Sequence, residues 1–184
     1  MKTKLVVFAL LIAAGLGACK DKEATPAEGA AAAKPEVKKQ FSVEMDVIAL
    51  KDDHFSVYYT EDNSINFVGE KAVWQDVKGQ PQSQKLVFNL SEDILPTNIR
   101  LDFGNNKEQG DIVLEKFKFS YYGNSVEIRG ADLLKYYLPC KEVDTKIDEA
   151  NGTITFLQKP GKYAPPFFYP FDPGIKAVKD VTNP

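Results

Sequence analysis

The chain is poor in the side chains that most metal and catalytic centres use. Its 184 residues include one histidine, one tryptophan and two cysteines. The single histidine, His54, excludes a multi-histidine metal site and leaves one imidazole to act as base in a nucleophile triad. It lies in Lys51-Asp52-Asp53-His54, which reads as an exposed turn. The two cysteines, Cys19 and Cys140, exclude a disulfide framework. No lysine–arginine block interrupts a composition of 23 basic and 26 acidic residues, net −3. Nucleic-acid binding, which needs a basic footprint to neutralise phosphates, is therefore not expected. A glycine-rich phosphate loop is absent. Gly123-Asn124-Ser125-Val126-Glu127 starts like a G-x-S-x-G nucleophile elbow, but it ends in glutamate and falls in a hairpin pattern.

The N-terminus has the composition of an export signal. Lys2 and Lys4 precede an apolar run from Leu5 to Ile12, and small residues lead to Leu16-Gly17-Ala18-Cys19. The apolar run is shorter than the about 20 residues a membrane span needs. The last four residues resemble the lipobox of bacterial lipoprotein signals. That resemblance implies cleavage after residue 18 and lipidation of Cys19, the thiol carrying a diacylglyceryl group and the freed amine an acyl chain. Each buried acyl CH₂ contributes about 0.8 kcal/mol, so several chains anchor a protein firmly. With Cys19 acylated, Cys140 is a lone thiol in an exported protein, read here as a buried small hydrophobe. Loss of Lys2 and Lys4 takes the 23 basic residues to 21 against 26 acidic ones, net −5.

Residues 19–40 read as a tether. Lys20 to Gln40 holds six alanines, five lysines, four acidic residues, two prolines and no aromatic residue. Such a stretch buries too little apolar surface to offset its ordering entropy. Its opening, Cys19-Lys20-Asp21-Lys22-Glu23, resembles the lysine-plus-acidic signal for surface display in one group of Gram-negative bacteria, with a lysine interrupting the acidic pair. An equal reading is solvated linker charge. The implied address is the bacterial envelope, at the outer membrane or cell surface.

From Phe41 the pattern changes to period two. Phe41, Val43, Met45 and Val47 alternate with polar residues, as do Phe55, Val57 and Tyr59. Further strands are predicted at Ile65–Val68, Ala72–Val77, Gln84–Leu90, Ile99–Phe103 and from Ile112 to Phe119. Gly123-Asn124 and Asn151-Gly152 are hairpin signals. Only Asp132 to Tyr137 has a helical look. Eight to ten short strands with alternation predict an all-β antiparallel sandwich, jelly-roll-like, with at most one short helix; a Greek-key barrel is the alternative. The sandwich is assigned to residues 41–158. Residues 159–184 form a tail holding six of the eleven prolines, together with Tyr163, Phe167, Phe168, Tyr169 and Phe171, and the last ten residues are expected to fray.

Between Gly79 and Tyr121 the strands Gln84-Lys85-Leu86-Val87-Phe88-Asn89-Leu90, Asn98-Ile99-Arg100-Leu101-Asp102-Phe103-Gly104 and Gly110-Asp111-Ile112-Val113-Leu114-Glu115-Lys116-Phe117-Lys118-Phe119 resemble the galactose-binding-like jelly rolls. That group includes carbohydrate-binding modules and appendages of polysaccharide-synthesis enzymes. The resemblance implies a fold and a glycan ligand, but it transfers no sugar-contacting residue.

Binding candidates follow from the alternation. Trp74 shares a face with Ala72 and Asp76, opposite Val73 and Val77, so it either lies on a wet surface or packs in the core or at a rim. One member of each pair Tyr58–Tyr59 and Tyr121–Tyr122 must point away from the core. Arg100 and Asp102 share a face as a polar couple, either pairing on the sheet or holding ligand hydroxyls. Asp52, Asp53 and Asp62 supply loop oxygens for a structural calcium, or simply form turns. The function expected is a lipid-anchored glycan-binding protein, with the membrane as one partner and a glycan or envelope protein as the other. A protein–protein adaptor working through the aromatic tail is the alternative, and a glycoside hydrolase with paired carboxylates a third.

Overall fold

The structure, a computed structural model, describes residues 39–183. The expected leader at 1–18, Cys19 and the expected tether up to residue 38 lie outside the described residues.

Eleven strands form two sheets. The first six are Ser42–Ala49 (β1), Asp53–Thr60 (β2), Ala72–Val77 (β3), Gln80–Asn89 (β4), Asn98–Asp102 (β5) and Ile112–Tyr121 (β6). They are followed by Asn124–Arg129 (β7), Tyr137–Pro139 (β8), Asp144–Ile147 (β9), Thr153–Leu157 (β10) and Phe167–Pro170 (β11), and then one helix, Asp172–Thr182 (α1). The first sheet has the order β4-β1-β6-β10-β9, with β7 also paired to β6; the second has the order β3-β2-β5-β11-β8. All pairings are antiparallel. The hairpin β2–β3 lies in the second sheet while its flanking strands β1 and β4 pair in the first. A two-stranded ribbon thus folds over the core, as in jelly-roll winding. The result is an antiparallel sandwich and not a closed barrel.

Alternation builds the core. In β1, Val43, Met45, Val47 and Ala49 are buried while Ser42, Glu44 and Asp46 face out. Rings from the two sheets meet in the middle: Phe117 of β6 lies edge-on to Tyr137 of β8, centroids 5.8 Å apart. Phe103 contacts both Phe55, at 5.6 Å, and Phe168, at 5.3 Å. A buried side chain of this size contributes about 1.5–3 kcal/mol through desolvation.

The spacing from Leu114 to Phe117 breaks the period of two, and the pairing with β1 explains it. Asp46 faces Lys116 and the next residue, Val47, faces Leu114, so Glu115 is a bulge. One extra residue restores Phe117 and Phe119 to the inner face.

Four expectations change. Residues 61–68 form no strand: the Ser64 carbonyl accepts from Thr60 Oγ1 (2.7 Å) and Asn98 Nδ2 (2.9 Å), and Asn63 has φ 61°. Side chains from β2 and β5 hold the segment as a loop, and a 3₁₀ turn at Gly69–Lys71 follows it. The β6–β7 turn centres one residue earlier than read, on Tyr122 (φ 46°) and Gly123 (φ 88°). This register sets Ile128 opposite Phe117, where a turn one residue later would place Gly130 there. The tail is not frayed. Strand β11 inserts between β5 and β8, and α1 buries Ala177, Val178 and Val181 against strands of both sheets. Its apolar spacing is short and its mean hydropathy low, so docking rather than propensity holds the helix. The predicted helix at Asp132–Tyr137 is a 3₁₀ segment, Gly130–Lys135.

Candidate functional site

The two outer faces of the sandwich differ in chemistry. On the first sheet, Lys85 bridges Glu44 and Asp46, Lys116 bridges Asp46 and Glu127, and Lys118 reaches Glu44. That face is a solvated lattice of paired charges, each pair contributing little.

The second sheet carries aromatic rings around a hollow. Along β2 the period of two turns His54, Ser56 and Tyr58 outward while Phe55 and Val57 face the core. In register, Trp74 on β3 faces Ser56, Ser56 faces Asp102 on β5, and Asp102 faces Phe167 on β11. A row of four positions therefore has a large ring at each end and two short polar side chains between. Adjacent strands are about 4.8 Å apart, so the ring-bearing backbones stand roughly 14 Å from each other. The dip between them is a hollow of about 220 Å³ lined by these four residues with His54, Tyr58, Arg100, Gly104, Asn105 and Pro165.

Arg100 and Asp102 form one wall. Nε and Nη2 of Arg100 donate to Oδ1 and Oδ2 of Asp102 at 2.8 and 2.7 Å. The guanidinium lies between the rings of Tyr58 (4.0 Å) and Phe167 (4.6 Å). Such stacking leaves the planar cation free to donate in its own plane. Burial pushes the Asp102 carboxyl up, and the hydrogen bonds from Arg100 pull against that shift. Trp74 lies edge-on to Tyr58 (6.3 Å) and is 50% exposed. At the rim, His54 Nδ1 lies 2.8 Å from Asp76 Oδ1. This histidine belongs to a strand, not to a turn.

The floor is Ser56. It is fully buried, and its Oγ has no hydrogen-bond partner among the described residues. Buried hydroxyls normally have one.

Of the residues singled out from sequence, Trp74, Tyr58, Arg100 and Asp102 come together here. Tyr59 points inward and packs on the core. Tyr121 and Tyr122 belong to the other sheet's β6–β7 hairpin, where Tyr122 is exposed beneath Lys39 Nζ at 5.4 Å. Ser56 and Phe167 were not singled out, although the alternation that turns Tyr58 outward does the same for Ser56.

The acidic loop residues Asp52, Asp53 and Asp62 are each engaged by donors of the protein itself. Asp53 is buried and its Oδ1 accepts from the backbone N–H groups of His54 (2.8 Å), Asn105 (2.9 Å) and Asn106 (3.1 Å). Gly104 (φ 91°) lets the chain pass against this carboxylate, where a Cβ would overlap it. Asp52 accepts from Gly79 N–H and Lys78 Nζ, and Asp62 from Ser64 N–H. Among the described residues no group of three or more His, Cys, Asp or Glu side chains converges to hold a metal ion. Cys140 is buried, its Sγ 3.9 Å from the Pro165 carbonyl.

No family model, no curated protein and no solved structure matches the chain.

Proposed function

We propose that this is a lipid-anchored envelope protein that binds carbohydrate on the outer face of its second sheet. The observation that carries the reading is the half-exposed Trp74 standing beside a polar-floored hollow, on a sandwich whose other face is covered by ion pairs. A sugar has apolar C–H faces and a rim of hydroxyls, so a flat ring beside a carboxylate and a hydroxyl matches both parts of it. The leader and Cys19 support the anchor, which mass spectrometry of the native N-terminus tests: two or more acyl groups on Cys19 are expected, and a free thiol there removes the anchor.

Carbohydrate binding is tested on a glycan array with the full chain and its Trp74→Ala variant. Binding to a defined set of glycans that the variant loses supports the reading; an empty array removes it. One carboxylate, Asp102, lines the hollow. Glycoside hydrolysis uses two, so binding is favoured over catalysis.

The adaptor reading loses its premise that the tail is a free contact arm, because β11 and α1 are part of the sandwich. A different observation favours a protein contact. Ile65 and Leu138 are exposed beside Tyr169 and Pro170, at the edge made by β8. If that edge is the contact, Leu138→Glu disrupts it and leaves glycan binding intact.

A further inference from the structure

We infer that the hollow seats one uncharged terminal sugar ring, whose neighbouring hydroxyls are taken by Ser56 Oγ and the Asp102 carboxylate. This rests on the carbohydrate reading above and names the part of the glycan recognised.

Walls on all four sides set the mode. Trp74 closes the hollow toward β3 and Phe167 toward β11, while the stacked Tyr58–Arg100 pair closes it along the strands in one direction. In the other direction stand His54, two residues before Ser56, and Gly104 and Asn105, just beyond Asp102. A polymer lying across the sheet would have to climb over a wall at each end. An end residue enters from above. At about 220 Å³ the space falls below the roughly 300 Å³ at which sites for drug-sized molecules begin, and suits one ring.

The floor sets the chemistry. Ser56 lines the hollow and is fully buried, and its hydroxyl, a group able both to donate and to accept, has no partner among the described residues. Asp102 only accepts, and it keeps lone pairs beyond the two that Arg100 occupies. A hydroxyl that donates to Asp102 beside one that accepts from Ser56 satisfies both. A sugar carboxylate would meet Asp102 as a like charge, with the Arg100 charge already committed.

Trp74 is the chain's one tryptophan, so its emission reports this site alone. The probes are methyl glycopyranosides of glucose, galactose, mannose and N-acetylglucosamine, methyl glucuronoside, and an oligosaccharide ending in whichever sugar binds, with its terminal hydroxyls free or methylated. At least one neutral glycoside shifts the emission saturably, the glucuronoside binds tenfold or more weakly, and terminal methylation removes oligosaccharide binding. Ser56→Ala weakens binding about tenfold, the loss of one good hydrogen bond, without lowering Tm. Ser56→Val, which raises the floor, abolishes binding.

An oligosaccharide that shifts Trp74 regardless of terminal methylation and of Ser56→Ala overturns the end-on mode and leaves carbohydrate binding standing. Equal or tighter binding of the glucuronoside overturns the uncharged class. A lower Tm for Ser56→Ala gives Ser56 a structural role and overturns its assignment to the ligand. If no sugar on the array or in this titration binds, both readings fall.

Discussion

Arg100 holds Asp102, two residues further along the same strand, through two near-parallel hydrogen bonds of 2.8 and 2.7 Å, with both side chains at least 85% shielded from solvent (13% and 15% exposed). An i, i+2 pair on one strand leaves the neighbouring strands free to flank it, and the rings of Tyr58 and Phe167 lie 4.0 and 4.6 Å from the guanidinium carbon. The couple is at once a structural clamp and a wall of the hollow. Removing one partner leaves the other charge in a largely dry place. Arg100→Ala should therefore cost about 2–3 kcal/mol, whereas Arg100→Met combined with Asp102→Leu should cost less than either single change. A double-mutant cycle in urea measures the difference; additive losses would show that the two charges are uncoupled.

Asp53 accepts from three backbone N–H groups, that of His54 beside it on β2 and those of Asn105 and Asn106, and the last two tie down the loop after β5. Asp53→Ala strands them in a buried place, at about 1–3 kcal/mol for the set that water cannot reach. The loop supplies Asn105 to the hollow, so the same variant should weaken ligand binding. Because this carboxylate is engaged by amides, added calcium or EDTA should leave the thermal midpoint where it is. A calcium-dependent rise in Tm that Asp53→Ala removes would show that the acidic loops hold a metal.

Helix α1 contributes Val178 and Val181, both fully buried, to the core between the sheets. Val178→Ala should cost about 1–3 kcal/mol by opening a cavity. Ending the chain at Pro170 should cost more, exposing the strand faces that α1 covers. Circular dichroism during heating reads both. A truncated chain that melts like the full one would make α1 dispensable.

Near the 3₁₀ segment, Arg129 and Lys135 hydrogen-bond to Asp132 at 3.0 and 2.7 Å and hold its carboxyl down to about 2, from an ordinary 3.8. The sign follows from the lowered value. The ion cluster's contribution is complete above pH 3.8 and is lost as the pH falls through about 2. Side-chain NMR titration should give that midpoint, and Arg129→Gln with Lys135→Gln should return it toward 3.8. The group is on the surface, so salt should raise the midpoint by screening.

Period-two alternation made most strands legible, because it records which face each residue shows and a sheet needs little else. It set Trp74 on one face with Ala72 and Asp76, and Arg100 with Asp102, and left open whether Trp74 is exposed or packed; the structure leaves it half exposed. Alternation is silent about what caps a face. Nothing local announces that residues 167–170 return to pair with β5, so Phe167 could not be set beside Asp102 in advance. The hollow is a relation between four strands, and its floor, Ser56, is an ordinary small residue until Trp74 and Phe167 flank it. Helix α1 was missed for the opposite reason. Its signal is weak by itself, and its burial comes from the fold it docks on.

The β6–β7 turn offers a gain in stability. Tyr122 occupies its first central position at φ 46°, a region costly for a residue with a Cβ, and Gly123 follows at 88°. Two-residue hairpin turns with positive φ at both central positions favour Asn-Gly. Tyr122→Asn should relieve this strain and raise stability by about 0.5–1 kcal/mol, net of the lost contact between Lys39 and the Tyr122 ring at 5.4 Å, an exposed cation–π pair of similar size or less. Tyr122→Gly should gain less, since glycine adds freedom to the unfolded chain. The order Asn above Gly above Tyr in urea midpoint tests the turn assignment. If Tyr122→Asn is destabilising instead, the aromatic ring contributes more through Lys39 and Tyr121, whose ring centroid is 6.3 Å away, than its backbone costs.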